Sequence, residues 1–322
     1  MREIGGYLEF EKFHGNMQYE EAIALNCGRN CLAYLIEAKN IKKLAVPYLM
    51  CDCIFEVCKR MNVEMIKYQL QKDFTPKAIP KADDLWVYIM NYYGMLSKKQ
   101  LGELKDKYSN IIIDNAQAYF TAPLENTDTL YTCRKFFGVA DGAFLFSDAR
   151  LTRDLETETS WNRMEYLLGR YEGNASTFYN QSVDNNTFFD SAPIKKMSKL
   201  TNNLLHGIDY EIIKQKRTKN FTYLHEHLAS INELNLPIVT GAFAYPLLIT
   251  NDSDLREKLI EKNIYIPLLW PNVLKEMSEK SFEYQMARYI LPLPCDQRYS
   301  LQDMQYLVEE ILNITKTNEE IE

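Results

Sequence analysis

At 322 residues, with 46% apolar and 25% charged side chains, the chain is long enough for a large core and has the composition of an ordinary globular protein. A net charge of -7, with no long Lys/Arg cluster, argues against nucleic acid as a partner. No apolar run approaches a membrane span and the Met1–Tyr7 stretch lacks an apolar signal core, so no membrane partner and a cytoplasmic location are expected.

Residues 1–21 mix glycine, aromatics and acids without periodicity and are expected to form an irregular arm. Residues 22–26 read as extended. A helix follows over 30–39, with Cys31, Leu32, Leu35 and Ile36 on one face. Strand 44–47, helix 51–61 and strand 63–68 come next, then strand 85–90 running into Asn91-Tyr92-Tyr93-Gly94. Helix 97–108, with Ser97 as N-cap, leads to strand 111–113, which ends in Asp114. This alternation predicts an α/β fold with a mostly parallel, doubly wound sheet.

Beyond a loop, Arg134-Lys135 precedes a glycine-containing turn and strand 143–146. A helix is expected over 150–171, a long polar loop over 172–193, and helices over 194–205 and 210–228. Asn235-Leu236-Pro237 marks a break. Strand 242–250, helix 253–263, strands 264–266 and 287–291 and a closing helix 301–314, capped by Ser300, follow it. The chain should therefore divide into a large unit, 1–234 with its arm 1–21, and a small αβ unit, 235–322, fraying from residue 316.

Several residue patterns carry chemistry. An acid at the end of a buried strand, Asp114, sits where open α/β sheets bind ligands. Lys135, flanked by Cys133 and Phe136-Phe137, has the apolar neighbours that favour a neutral, nucleophilic amine. Gly28, Arg29 and Asn30 open a helix whose free N–H groups suit a phosphate. The seven cysteines include no Cys-x-x-Cys pair and lie near no histidine, so reduced, buried thiols and no metal are expected. The 22 tyrosines fit either a polar pocket or a tyrosine-rich core.

The order Asp114-Asn115-Ala116-Gln117, then Lys135, Asp141-Gly142-Ala143 and Ser147-Asp148 resembles the DegT/DnrJ/EryC1/StrS aminotransferases. Upstream, Leu25–Asn30, Val46-Pro47-Tyr48 and Asn91–Gly94 match that family in order. The resemblance covers residues 22–150 and implies fold-type I, with pyridoxal 5'-phosphate held on Lys135 as a Schiff base and its ring nitrogen facing Asp114. It further implies that Gln117 lies beside the ring, that Gly28, Arg29, Asn30 and Thr132 meet the phosphate, and that the protein is a homodimer. The implied reaction moves an amino group, with glutamate as donor, to a keto sugar that can be nucleotide-linked. The alternative is a diverged homologue acting on another amine or serving as a binding protein. The family's interface segment Gly-x-Asn-(Tyr/Phe)-Arg has no clear counterpart between Gly169 and Leu205, and Pro267–Trp270 stands where a histidine stretch is usual.

Overall fold

The computed structural model describes residues 4–252 and 254–319, the last three by backbone alone. Strand β1 (Ile23–Leu25), helix α1 (Gly28–Ala38), strand β2 (Lys43–Pro47), helix α2 (Asp52–Arg60) and strands β3 (Glu64–Tyr68) and β4 (Leu85–Met90) open the fold. A single 3₁₀ turn, Tyr92–Gly94, leads to helix α3 (Lys98–Lys107) and strands β5 (Ile111–Asp114), β6 (Asp128–Thr132) and β7 (Ala143–Phe146). Helices α4 (Glu165–Glu172), α5 (Tyr179–Ser191), α6 (Lys199–Leu205) and α7 (Tyr210–Leu228) follow. The chain closes with strand β8 (Tyr245–Leu248), helices α8 (Leu255–Glu261), α9 (Val273–Glu276) and α10 (Phe282–Tyr289), strand β9 (Ile290–Leu293) and helix α11 (Leu301–Glu319).

Seven strands form one sheet in the order β1-β7-β6-β5-β4-β2-β3. The run β3-β2-β4-β5-β6 is parallel, while β7 runs antiparallel to both of its neighbours. Burial of β5 along its whole length explains its unbroken isoleucines, since a central parallel strand is covered on both faces. The C-terminal ends of β4, β5 and β6 therefore open on one rim, and Asp114 and Thr132 both lie there. The tyrosines resolve toward core: Tyr88, Tyr92, Tyr93, Tyr119, Tyr131 and Tyr245 are among the largest fully buried side chains.

A second apolar core joins the last turns of α7 to β8, α8, β9 and α11 through Phe221, Leu224, Tyr245, Leu259, Leu293 and Ile311. No helix among the described residues is long and apolar enough to cross a membrane.

Several elements differ from expectation, each for a local reason. Residues 128–132, inside the expected loop, pair between β5 and β7 as β6. The helix expected over 150–171 shrinks to α4. The stretch before it is held extended by Glu158, a buried carboxylate that accepts from Asn26 Nδ2 at 3.0 Å and from the Thr159 N–H at 2.9 Å. The polar stretch 172–193 is largely α5 rather than loop. Helix α6 starts only at Lys199, because Ser198 caps it through the Thr201 N–H.

Near the C-terminus, Ser281 caps α10 through Tyr284, so residues 287–289 are helical and the strand starts at Ile290. Residues 264–266, with Pro267 next, stay out of the sheet. Helix α8 begins at Leu255, and Ser253, where it was expected to start, lies outside the described residues. Helix α11 continues to Glu319, since neither glycine nor proline interrupts it after Ile314; the remaining residues expected to fray, 320–322, lie outside the described residues. Two cysteines are not free thiols: Cys51 and Cys53, at the start of α2 with Cα atoms 5.4 Å apart, are joined in a disulfide. Cys27, Cys31, Cys58, Cys133 and Cys295 are free and buried.

Candidate active site

Asp114 is the last residue of β5 and almost fully buried. Its Oδ2 accepts from the Tyr88 hydroxyl at 2.7 Å and its Oδ1 from the Ala116 N–H at 2.7 Å. Tyr88 pairs with Ile112 in the parallel register, two residues before Asp114, so both side chains leave the same face of the sheet. Burial raises the carboxyl above its ordinary range, opposed by the Tyr88 bond, the Lys135 charge and the Ala116 N–H. A buried carboxyl with two fixed donors suits a ligand that presents a cationic N–H, whose charge would favour the carboxylate form.

Lys135 stands in the β6–β7 connection, three residues past Thr132. The turn is tied tightly: the N–H groups of Phe136 and Phe137 both bond the Cys133 carbonyl at 2.9 Å, and the Cys133 N–H bonds the Gly142 carbonyl. Gly142 has φ +110°, and a Cβ there would lie 2.9 Å from Thr201 Cγ2, so only glycine fits. Beside it the buried Asp141 carboxylate accepts from the Ser198 N–H at 2.8 Å, from Ser198 Oγ at 2.7 Å and from Thr201 Oγ1. This nails the hairpin to α6.

The Lys135 side chain is open to solvent although the fold surrounds it. Burial lowers its pKa, opposed by the charge of Asp114, with Arg134 and Arg29 adding to the lowering. The ammonium lies 5.5 Å from the centre of the Phe243 ring. Arg217, fully buried on α7, donates to the carbonyls of Phe136 (3.2 Å) and Ala242 (2.9 Å) and to Gln297 Oε1 (2.7 Å), while Gln297 Nε2 donates to the same Phe136 carbonyl at 2.7 Å. The lysine turn and the Ala242–Phe243 stretch are thereby held by one side chain.

Gln117 is buried, and its Oε1 accepts from the Tyr93 N–H at 3.0 Å. It steadies a turn in which Tyr93 has φ +54°. Gly28 and Arg29 are in the first turn of α1, where Cys27 provides no side-chain cap and no acid is present. A Cβ on Gly28 would stand 3.6 Å from Thr132 Cβ, so the end of β6 touches the start of α1. Asn30 faces away from this rim: its Nδ2 bonds Asn26 Oδ1 at 3.0 Å and the Pro193 carbonyl at 2.8 Å, and its N–H bonds the Cys27 carbonyl. The structure therefore gathers Lys135, Asp114, Gly28, Arg29 and Thr132 about one rim, puts Gln117 behind the Tyr93 turn, and commits the Asn30 amide to the fold.

Sequence reasoning missed Tyr88, Arg134, Phe243 and all of α5. A tyrosine two positions before the strand end beside an acid-tipped strand was the available signal for Tyr88. Nothing local announced the others.

The arrangement fits pyridoxal phosphate on grounds visible in the chain itself. An amine of lowered pKa stands in the β6–β7 turn, a donor-supported carboxyl stands at the strand end, and an uncapped helix start lies across the rim with a buried donor, Arg134 Nε, lacking a hydrogen-bond partner.

Comparison with solved structures bears on the fold. The chain is similar to DesV of S. venezuelae, solved with a ketimine intermediate, at 14% identity over 90% of this chain and 83% of that one, with a TM-score of 0.63. It is similar to NtdA of Bacillus subtilis with bound cofactor PMP at 14% identity, covering 95% and 78%, TM-score 0.67. The aminotransferase PseC of Helicobacter pylori matches at 10% identity over 92% and 87%, TM-score 0.61. No family model matches the chain, and no curated protein does. At such identity the likeness shows the fold, which is that of the fold-type I pyridoxal phosphate-dependent aminotransferases.

Proposed function

We propose that this protein is a pyridoxal phosphate-dependent aminotransferase that passes an amino group, from glutamate as donor, to a keto sugar that can be nucleotide-linked. The observation that carries this reading is the pairing of Lys135 with Asp114 at one sheet rim, each with its ionisation adjusted by burial and by the other's charge. The solved proteins of this fold include sugar aminotransferases, among them CalS13 of Micromonospora echinospora.

Pyridoxal phosphate, when bound, supplies an electron sink that acidifies the donor's Cα–H and a carrier for the amino group between two substrates. Lys135 Nζ, whose pKa is lowered by burial, would hold the cofactor through its aldehyde carbon and, as a free amine, would take up and return a proton at Nζ. Asp114, held by Tyr88 and Ala116, would face the cofactor's ring nitrogen and favour its protonated form. Gln117 would support the ring's flank from behind the Tyr93 turn, and the Gly28, Arg29 and Thr132 corner would receive the phosphate, with Asn30 securing the helix beneath it.

We further infer a large unit, 1–234, and a small unit, 235–322, a reading supported by the second core; α7 shares that core from the large side. A homodimer is supported by exposed apolar side chains along the arm (Ile4, Tyr7, Leu8) and near α4 (Trp161, Leu168, Tyr171).

The test is an absorbance spectrum with added pyridoxal phosphate for the wild type and Lys135→Ala. The wild type should develop the visible band of lysine-bound cofactor, and glutamate should bleach it. Lys135→Ala should lose the band and at least about 10²–10⁴-fold in amino transfer. A wild-type protein that takes up no cofactor overturns the reading and leaves a binding protein.

A further inference from the structure

The phosphate corner holds more positive charge than a helix start requires, and the surplus comes from a residue the fold-level likeness does not assign. We propose that Arg134, together with Arg29, takes the cofactor's phosphate from within the same chain, and that Asn186 and Asp190 of α5 hold the two guanidiniums until the phosphate displaces them. This rests on the pyridoxal phosphate reading and extends it to how the anion is held.

The placement follows from short contacts. Thr132 touches the Gly28 position, Arg29 is the next residue after Gly28, and Arg134 lies two beyond Thr132. Each arginine then reaches the same helix. Arg29 Nη1 bonds the Asp190 carboxylate, and Arg134 Nη2 bonds Asn186 Oδ1. Asn186 and Asp190 are four residues apart, one turn along a single face of α5. Between them Phe189, fully buried, lies against Cys27 at the start of α1 and carries the Arg134 guanidinium 4.9 Å above its ring.

Arg134 is short of partners. Its Nε is buried without a hydrogen bond, and its side-chain partners, the Asn186 amide and the Tyr166 hydroxyl, are both neutral groups. A guanidinium offers five donors, and leaving them unmet away from water is costly. Arg29 has a carboxylate, but Asp190 is itself largely exposed and replaceable. A phosphate monoester brings close to two negative charges and three acceptor oxygens, which match two planar guanidiniums better than one carboxylate and one amide do. Burial and the nearby Arg29 also depress the Arg134 pKa, a strain that an anion relieves.

The experiment titrates the wild type, Arg134→Gln, Arg29→Gln and Asp190→Asn with pyridoxal phosphate and, separately, with pyridoxal, which lacks the phosphate. Affinity is read from the visible band and from tryptophan fluorescence quenching. Arg134→Gln should weaken pyridoxal phosphate binding by about 10–100-fold, the range for lost hydrogen bonds to a charged group, and leave pyridoxal binding unchanged. Arg29→Gln should act likewise. Asp190→Asn should bind pyridoxal phosphate several-fold more tightly, a gain that a misfolded variant cannot produce.

Wild-type affinity in both arginine variants, an equal loss for the two aldehydes, or no gain in Asp190→Asn would overturn the proposal while leaving the cofactor assignment standing. A wild type that binds neither aldehyde would instead overturn the cofactor reading, and this proposal with it.

Discussion

The two ends of the proposed site are built on different plans. At the ring end, Asp114, Tyr88 and the lysine turn are fixed by sheet register, backbone bonds and the Asp141 anchor. At the phosphate end, two guanidiniums lean on one face of α5, with a buried Nε unpaired and a carboxylate that solvent reaches. The first end is preorganised and the second exchangeable. Such a division suits a cofactor whose reactive atoms need a fixed frame while its phosphate supplies affinity.

Three further measurements press on that contrast. Asp114→Asn should have the largest effect. It removes one member of a buried charge pair, worth roughly 3–5 kcal/mol, so amino-transfer half-reactions should slow by about 10²–10⁴-fold. Because the phosphate end is untouched, equilibrium binding of pyridoxal phosphate should fall far less. Equal losses in rate and affinity would show that the two ends do not act separately.

Tyr88→Phe should act more mildly and through pH. The Tyr88 hydroxyl favours the Asp114 carboxylate, so without it the carboxyl pKa, already raised by burial, rises further. Activity is then lost at a higher pH on acidification, and the acid limb of the rate profile should move up. An unmoved acid limb would remove Tyr88 from any part in the reaction.

Salt should have the smallest effect. Raising it from about 0.1 M to about 1 M screens half-exposed charges, so pyridoxal phosphate affinity should drop by a few-fold and pyridoxal affinity should not. Identical salt curves for the two would contradict a phosphate end dominated by charge.

The same contrast explains what could be read from the chain alone. Asp114 and Lys135 were legible because each follows a compact local pattern, an isoleucine run ending in an acid and a lysine ahead of Asp141-Gly142. The parallel sheet followed from alternation, since β2, β4 and β5 are short apolar runs between helices. Helix α5 was not legible. Its sequence, Tyr-Asn-Gln-Ser-Val-Asp-Asn-Asn-Thr-Phe-Phe-Asp-Ser, has no apolar stripe and buries only Asn185 and Phe189. Such a helix is specified by what its polar side chains meet across the fold, and those partners include Ala140 and Arg134, 45 and 52 residues away in sequence. Strand β6 was lost for a related reason: Asp128–Thr132 becomes a strand because β5 and β7 flank it. Asn30 shows the opposite limit, a residue in the right place for a phosphate whose amide is already engaged beneath the helix.

The clamp on Phe136 has a consequence for the order in which this protein comes into being. Its carbonyl is bound by Arg217 and Gln297, 81 and 161 residues further along the chain. During synthesis the strands flanking Lys135 emerge early and can pair with one another, since chains begin folding from the N-terminal side. The peptide next to the lysine, however, waits for a glutamine made long afterwards. Completion of the lysine turn is thus a late event in the life of the nascent chain, withheld from any product that ends before residue 297.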